Sequence, residues 1–303
     1  MSKGKRAAMI IAVCCIATGL LLTVISFSIL RFDFSKLNME TFETNTYNIE
    51  ETFNDIAIND VECDVRLLKS TDGKCKVVCG ESDNIVNDIQ VENNTLIIKR
   101  TDNRPWYKHI GIWWSIDLDV SIYLPQDTYN MLYLKSVSGD IYADEVFTFS
   151  EATVISTSGD ITFNSNTENS LIIKSTSGDI ISHSKAVGKA TVKSTSGEIK
   201  LQNIAANEMT VSSTSGDIKL SSVITIGNTE CSAVSGDIEL DRCDAGTLDL
   251  KTTSGEISGT LMSPKNFITS TVSGNVKVPS SHAYVGDCSI KTTSGNIKID
   301  VVD

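Results

Sequence analysis

The sequence predicts an all-β fold, a flattened single-stranded β-helix or solenoid of about nine coils of 19–21 residues, preceded by one N-terminal transmembrane helix. Three observations predict it. A Ser-Gly-acid turn recurs at near-constant spacing, apolar side chains alternate on both sides of that turn, and one long uncharged run follows three basic residues.

The N-terminal segment comes first in the chain. Lys3, Lys5 and Arg6 make a basic tail over residues 1–6, and Ala7–Leu30 then runs 24 residues without a charge. A helix needs about 20 apolar residues to cross a bilayer core. A cleavable signal peptide has a shorter apolar region, about 7–15 residues, followed by a small-residue site. Ser26-Phe27-Ser28 matches that site poorly, and a lipoprotein reading at Cys14 is opposed by the bulky Val13 before it. The expectation is an uncleaved membrane anchor over residues 7–30, crossing once. The positive-inside rule keeps the basic tail in the cytoplasm and places the C-terminal domain outside. Residues 31–45 are polar and irregular and read as a tether.

The repeat carries the fold. Its turn glycines are Gly139, Gly159, Gly178, Gly197, Gly216, Gly236, Gly255, Gly274 and Gly295, spaced by 20, 19, 19, 19, 20, 19, 19 and 21 residues. Five and seven residues before each glycine the side chains are mostly apolar, as in Leu171/Ile173 and Leu248/Leu250. Two and four residues after it the pattern returns, as in Ile199/Leu201 and Ile238/Leu240, with Lys200 and Glu239 between. This is the period of a strand with one face buried, not that of a helix. One unit cannot bury its own face, whereas stacked units can. At about 4.8 Å per coil, nine coils would span roughly 40 Å. A propeller blade needs about 40–45 residues, twice this period.

Residues 136–303 hold the regular repeats. Residues 46–135 alternate without the glycine marker, as in Val61/Cys63/Val65/Leu67 and Cys75/Val77/Cys79, with Leu96-Ile97-Ile98-Lys99 a further strand. They read as irregular first coils and a cap, because a terminal unit must protect an open edge. The Ser-Thr-Ser-Gly-Asp-Ile of 175–180 and 213–218, after Trp-Ser-Ile-Asp-Leu-Asp-Val-Ser-Ile-Tyr-Leu-Pro at 114–125, resembles the bacterial putative-adhesin family over roughly residues 50–300. The resemblance implies a β-helical envelope domain, brings no catalytic residues, and associates some relatives with envelope-stress systems.

Composition narrows the function. Beyond residue 30 the chain carries 23 of the 26 basic residues against all 38 acids, a net of about −15. Such a surface repels phosphate backbones, so no nucleic acid is expected as a ligand.

Asp140, Asp160, Asp179, Glu198, Asp217, Asp237 and Glu256, ending in Asn275 and Asn296, form an acidic ladder beside the turn glycines. Ca²⁺ requires six to eight oxygens in a defined array, and the Gly-rich nonapeptide of calcium-binding β-rolls is missing. Turn chemistry is the better reading of the ladder, so neither a metal nor another cofactor is expected. The Ser and Thr residues before each glycine lack a matching base and are expected to bond along the ladder rather than act as nucleophiles.

Cys231 and Cys288 replace inward apolar residues. They lie three coils apart, roughly 14 Å, too far for a disulfide. Cys243 takes a slot filled elsewhere by Val146, Ile204, Val223 and Met262, and all three read as core. Cys63, Cys75 and Cys79 are possible disulfide partners. All three tryptophans fall in one cluster, Trp106, Tyr107, His109, Trp113 and Trp114. Exposed, it would stack on sugars or grip a partner; buried, it would plug the N-terminal end of the solenoid.

The expected function is a non-catalytic, adhesin-like binding or scaffolding module of the bacterial cell envelope. Its expected partners are the membrane through residues 7–30 and cell-wall glycan or an envelope protein. The alternatives are a sensor or accessory protein modulating a membrane partner in an envelope-stress pathway and, last, a polysaccharide-active β-helix enzyme, for which no coil breaks pattern to supply clustered carboxylates.

Overall fold

The computed structural model describes residues 3–29, 42–104, 118–280 and 285–302. It comprises two units, Met1–Glu43 and Thr44–Asp303. The first contains a helix, α1 (Lys3–Ile29). Among the described residues, no helix is long and apolar enough to cross a membrane. The expected span is therefore helical, but its role as a membrane anchor does not follow from the described helix.

The second unit is an all-β solenoid of about eight turns. Its strands begin with β1 (Glu43–Ile49), β2 (Asp55–Val61), β3 (Val65–Lys69), β4 (Cys75–Glu81), β5 (Ile85–Glu92), β6 (Thr95–Asp102) and β7 (Val120–Leu124). Each following coil pairs one strand before its Ser-Gly corner with one after it. These are β8 (Thr128–Ser136) with β9 (Ile141–Ala143), β10 (Thr148–Ser156) with β11 (Ile161–Phe163), and β12 (Asn166–Ser175) with β13 (Ile180–Ser182). Next come β14 (Ala186–Ser196) with β15 (Ile199–Gln202), β16 (Ala205–Ser215) with β17 (Ile218–Ser221), and β18 (Ile224–Ser235). The long β19 (Ile238–Ser254) closes one coil and opens the next, which β20 (Ile257–Leu261) completes. The last strands are β21 (Asn266–Ser273), β22 (Val276–Lys277), β23 (Asp287–Ser294) and β24 (Ile297–Val301).

Coils stack by parallel pairing in register, for example Ile199 on Ile218 and Leu201 on Leu220. The alternation read from the sequence gives the core directly. Val154, Ile173, Val192 and Val211 line one sheet and Ile161, Ile180, Ile199 and Ile218 the other, all nearly inaccessible. Burying such side chains supplies about 25 cal/mol per Å² of apolar surface removed from water.

The order of the coils departs from the sequence at both ends. β2 lies between β6 and β8, and β3 between β7 and β9, so the first coil in sequence is interior. The hairpin partners β5 and β4 then lie antiparallel on β6 and β7. At the other end β23 pairs with both β19 and β21, while β24 pairs with both β20 and β22. The C-terminal coil is thus intercalated, and the coil before it in sequence lies outermost. The open edge of the solenoid is therefore β21–β22 rather than the C-terminal strands. The physical reason is apolar content. The intercalated coil turns Cys288, Ile290, Ile297 and Ile299 inward, all buried, whereas the outer coil puts Thr269 opposite Ile290.

Lys265 holds the crossover. It is 2% exposed, and its Nζ donates to the carbonyls of Ala245 at 2.6 Å and Val285 at 2.7 Å while contacting the Asp244 carboxylate at 2.7 Å. It joins the coil of β19 to the chain entering β23.

Two cysteine expectations are also corrected, one by intercalation and one by a bulge between Leu240 and Cys243. Cys288 lies two strands from Cys231, through β19, rather than three, and both are buried free thiols. The slot of Cys243 aligns with Leu261, not Met262. Met262 and Val146 are exposed, and their neighbours Leu261 and Phe147 point inward.

Candidate functional site

The Ser-Gly-acid corner is the most repeated chemistry in the molecule. The glycine is demanded by stacking. A Cβ on Gly216 would lie 2.2 Å from the carbonyl oxygen of Gly197, and its φ of +154° disfavours other residues. The acids bridge coils. Asp64 accepts the backbone N–H of Asp140 at 2.7 Å, Asp140 that of Asp160 at 2.9 Å, Asp160 that of Asp179 at 2.8 Å, and Asp179 that of Glu198 at 2.8 Å. Asp217 and Asp237 likewise accept from Asp237 and Glu256. Each carboxylate meets a backbone donor, which offsets the cost of stacking like charges. Glu198, with its longer arm, instead receives Lys200 at 2.6 Å and Lys219 at 2.8 Å. Burial pushes its carboxyl up, but these two ammonium groups hold it below the usual range. Among the described residues no group of His, Cys, Asp or Glu is placed to hold a metal.

Two ladder members escaped the sequence reading. Asp64, after Cys63 in the glycine position, leads into Val65 and Leu67; Asp119 leads into Val120 and Ile122. The Asp-apolar-x-apolar signature was present without its glycine. Arg66 bridges the pair, 3.7 Å from Asp64 and 3.2 Å from Asp119.

A column of hydroxyls lies behind the corners, three residues before each turn glycine except Gly236, where Ala233 takes the place. Ser156 and Ser175 Oγ accept the N–H of Gly159 and Gly178 at 3.0 and 2.9 Å. Thr252 and Thr292 instead donate to the carbonyls of Gly236 and Gly255. Between these groups the corner geometry changes. Gly197 and Gly216 send their N–H to Ser215 and Ser235 of the next coil, and the Ser194 and Ser213 hydroxyls are buried without a partner.

The N-terminal end differs from all this. Where inner coils turn through a Ser-Gly pair, the connection from β6 to β7 comprises residues 103–119. The aromatic cluster Trp106, Tyr107, His109, Trp113 and Trp114 lies in this connection, outside the described residues. Its two stems are fixed. Arg104 forks onto Asp102, with Nε at 2.9 Å from each carboxylate oxygen. Arg100, 7% exposed, donates from Nη1 to the Leu118 carbonyl at 3.1 Å and to Cys63 Sγ at 2.6 Å. Burial pushes the Cys63 and Cys79 thiols up to about 12, so neither is a ready nucleophile.

Beside this end Glu81 is 7% exposed and accepts from Asn45 Nδ2, the Tyr47 hydroxyl and the Asn87 backbone, each at 2.7 Å. Burial pushes its carboxyl up, and these donors pull it to a net position below the usual range. The same bond raises Tyr47 to about 12.

A cavity of about 520 Å³ opens nearby between Asn48–Phe53, Gly73–Cys75, Pro125, Gln126 and Tyr129. Its floor begins an internal aromatic stack, Phe53 on Tyr129 at 5.9 Å, Tyr129 on Phe149 at 6.1 Å and Phe149 by Phe163 at 6.5 Å. The sequence reading missed this stack because its members come from different coils. A second recess follows a column of β-bulges and exposes Ile224 and Ile226.

With this geometry established, known proteins give a consistent picture. The Toastrack DUF4097 family matches residues 53–300. A putative adhesin from Parabacteroides merdae is 14% identical, with a TM-score of 0.52 over 86% of this chain and 96% of its own. A putative lipid binding protein from Parabacteroides distasonis is 17% identical, with a TM-score of 0.52 over 86% of this chain and 97% of its own. At these identities the likeness is one of fold. No curated protein matches the chain. A parallel solenoid with this corner, matched along nearly all of its length, shows that the chain belongs to the Toastrack DUF4097 family.

Proposed function

We propose that this protein is a non-catalytic binding module of the bacterial cell envelope, held to the membrane by α1, that recognises its partner through residues 105–117. One observation carries the reading. A corner turned elsewhere by two to four residues becomes, in the coil of β6 and β7, a long connection bearing every tryptophan of the chain on stems fixed by Arg100 and Arg104. Tryptophan and tyrosine stack on sugar rings and anchor protein contacts. The names of the adhesin and lipid-binding structures describe those proteins, and a shared fold with them is consistent with a binding role.

The anchor is supported by the 24-residue uncharged run behind Lys3, Lys5 and Arg6. Ile16, Leu20, Leu21, Leu22 and Val24 of α1 are all exposed, so apolar surface faces outward around the helix. The basic residues before the run support a cytoplasmic N-terminus and, with it, a solenoid outside the cytoplasm.

The test uses full-length protein in detergent, sedimented with isolated bacterial cell wall beside a Trp113→Ala/Trp114→Ala variant. Saturable binding that the folded variant loses is the expected result. Absence of wall binding by the unaltered protein overturns the glycan reading and points to a membrane partner engaged through the anchor. Exchanging α1 for an unrelated span then abolishes function in cells.

A further inference from the structure

The two ends of the solenoid are finished differently. At the N-terminal end β4 and β5 lie across the outermost parallel strands and β1 extends the cover. At the other end β21 and β22 pair inward with β23 and β24, and among the described residues no strand pairs on their outer side. The core is open there. Val276 is 44% exposed, while Ile297, its register partner one coil inward, is 1% exposed. Ile268 and Val272 on the same coil alternate with the inward Phe267, Thr269 and Thr271, so they flank the edge on its outer face, 52% and 83% exposed.

Charge sets this end apart from the rest of the molecule. The protein carries a net −12, yet no acid lies between Glu256 and Asp287. The corner column runs spatially from Asp237 through Glu256 to Asn296 and then Asn275, because the last coil is intercalated. Asn296 Oδ1 accepts the Asn275 N–H at 3.0 Å, so amides replace carboxylates in the two terminal positions. Edge strands of monomers are usually guarded by charge. From Asn266 to Val278 the single charge is Lys277.

We propose that this end is a self-association surface, where two copies pair end to end about a two-fold axis through antiparallel alignment of their β21 strands. Like-charge repulsion opposes most other contacts between two such acidic copies, and here it is absent. A strongly cationic partner would find no carboxylate on the coil, and an anionic one would find only Lys277 exposed. A second copy offers what the edge lacks, namely free backbone donors and acceptors together with a matching apolar rim. The size is sufficient. Eight residues of strand span about 26 Å, and two sheets with their side chains are about 20 Å thick, giving roughly 500 Å² per copy. The total of about 1,000 Å² meets the lower bound for a specific interface.

This inference is independent of the aromatic segment. The test is the mass of the full-length protein in detergent by sedimentation equilibrium. The expected result is a dimer whose dissociation constant rises about tenfold or more in Ile268→Lys/Val272→Lys, with the melting temperature unchanged. Asn275→Asp, which extends the acidic column to the rim, weakens the dimer in low salt and is relieved in high salt. Trp113→Ala/Trp114→Ala leaves the dimer intact. A monomeric unaltered protein overturns the proposal, as does a dimer indifferent to both edge changes, which would be joined through α1.

Discussion

The Gly255 N–H donates to the carbonyl of Ser294 at 3.0 Å, passing over the coil that separates them in sequence. Gly295 is accordingly seated on Gly255, with a Cβ position 1.9 Å from the Gly255 carbonyl oxygen, and Gly274 is seated on Gly295. A nearly uniform repeat is thereby stacked out of order, and the exposed end of the protein is an internal segment of the chain.

Gly216→Ala tests the corner. The added methyl meets the Gly197 carbonyl at 2.2 Å and the backbone carries φ +154°, so the coils must part locally. The expected cost is about 2–4 kcal/mol. Urea unfolding gives the value, and a loss within about 0.5 kcal/mol would show that the corner relaxes freely.

The hydroxyl column predicts opposite signs for the same substitution. Ser156→Ala removes the acceptor of the buried Gly159 N–H and should cost about 1 kcal/mol. Ser213→Ala removes a buried hydroxyl that has no partner and should be neutral or stabilising by up to about 1 kcal/mol. Paired denaturation curves decide it, and equal losses would contradict the change of corner geometry at Gly197.

Lys265→Met keeps the bulk of a nearly inaccessible side chain and deletes its bonds to Ala245, Val285 and Asp244. A cost of about 3 kcal/mol is expected from breaking a buried pair on one side. Hydrogen exchange should accelerate first in β21 and β23 while β12 to β16 stay protected. Uniform acceleration would mean that the crossover is not a separate weak point.

Stability should fall on both sides of neutrality because of the Glu81–Tyr47 pair. The Glu81 carboxyl is held below its usual range when folded. Its contribution is complete above the unfolded carboxylate pKa and is lost as pH falls through the lower folded value. Tyr47 is raised from 10.0 to about 12, so its contribution is complete below pH 10 and is lost as pH rises toward 12. Glu81→Gln should flatten the acid limb and return Tyr47 toward its ordinary titration, followed by ultraviolet absorbance. An unchanged tyrosine titration would remove the coupling.

The repeat was legible because its period is enforced at every coil. A side chain at Ile199 or Leu201 meets its own kind one coil away, so the same residue types recur. Ladder positions without the marker, Asp64 and Asp119, were hidden because Cys63 and a long connection replace the Ser-Gly pair. The slot of Cys243 was misaligned by one residue at Met262, because a bulge shifts the alternation between Leu240 and Cys243. The tryptophan cluster was visible as composition, while the pinning of its stems by Arg100 and Arg104 required contacts across strands.

The sequence by itself determined the strands, their inward faces, the glycine corners and the acidic column, since each follows from a local period that near neighbours reproduce. The tertiary structure alone decided which coil is outermost, which hydroxyls find partners, and where the acidic column ends in amides. Nearly identical repeats fit one another in almost any order. What selects the order is the difference in apolar burial between a coil carrying Ile290 and one carrying Thr269, together with the Lys265 bridge, and both arise only once the coils are stacked.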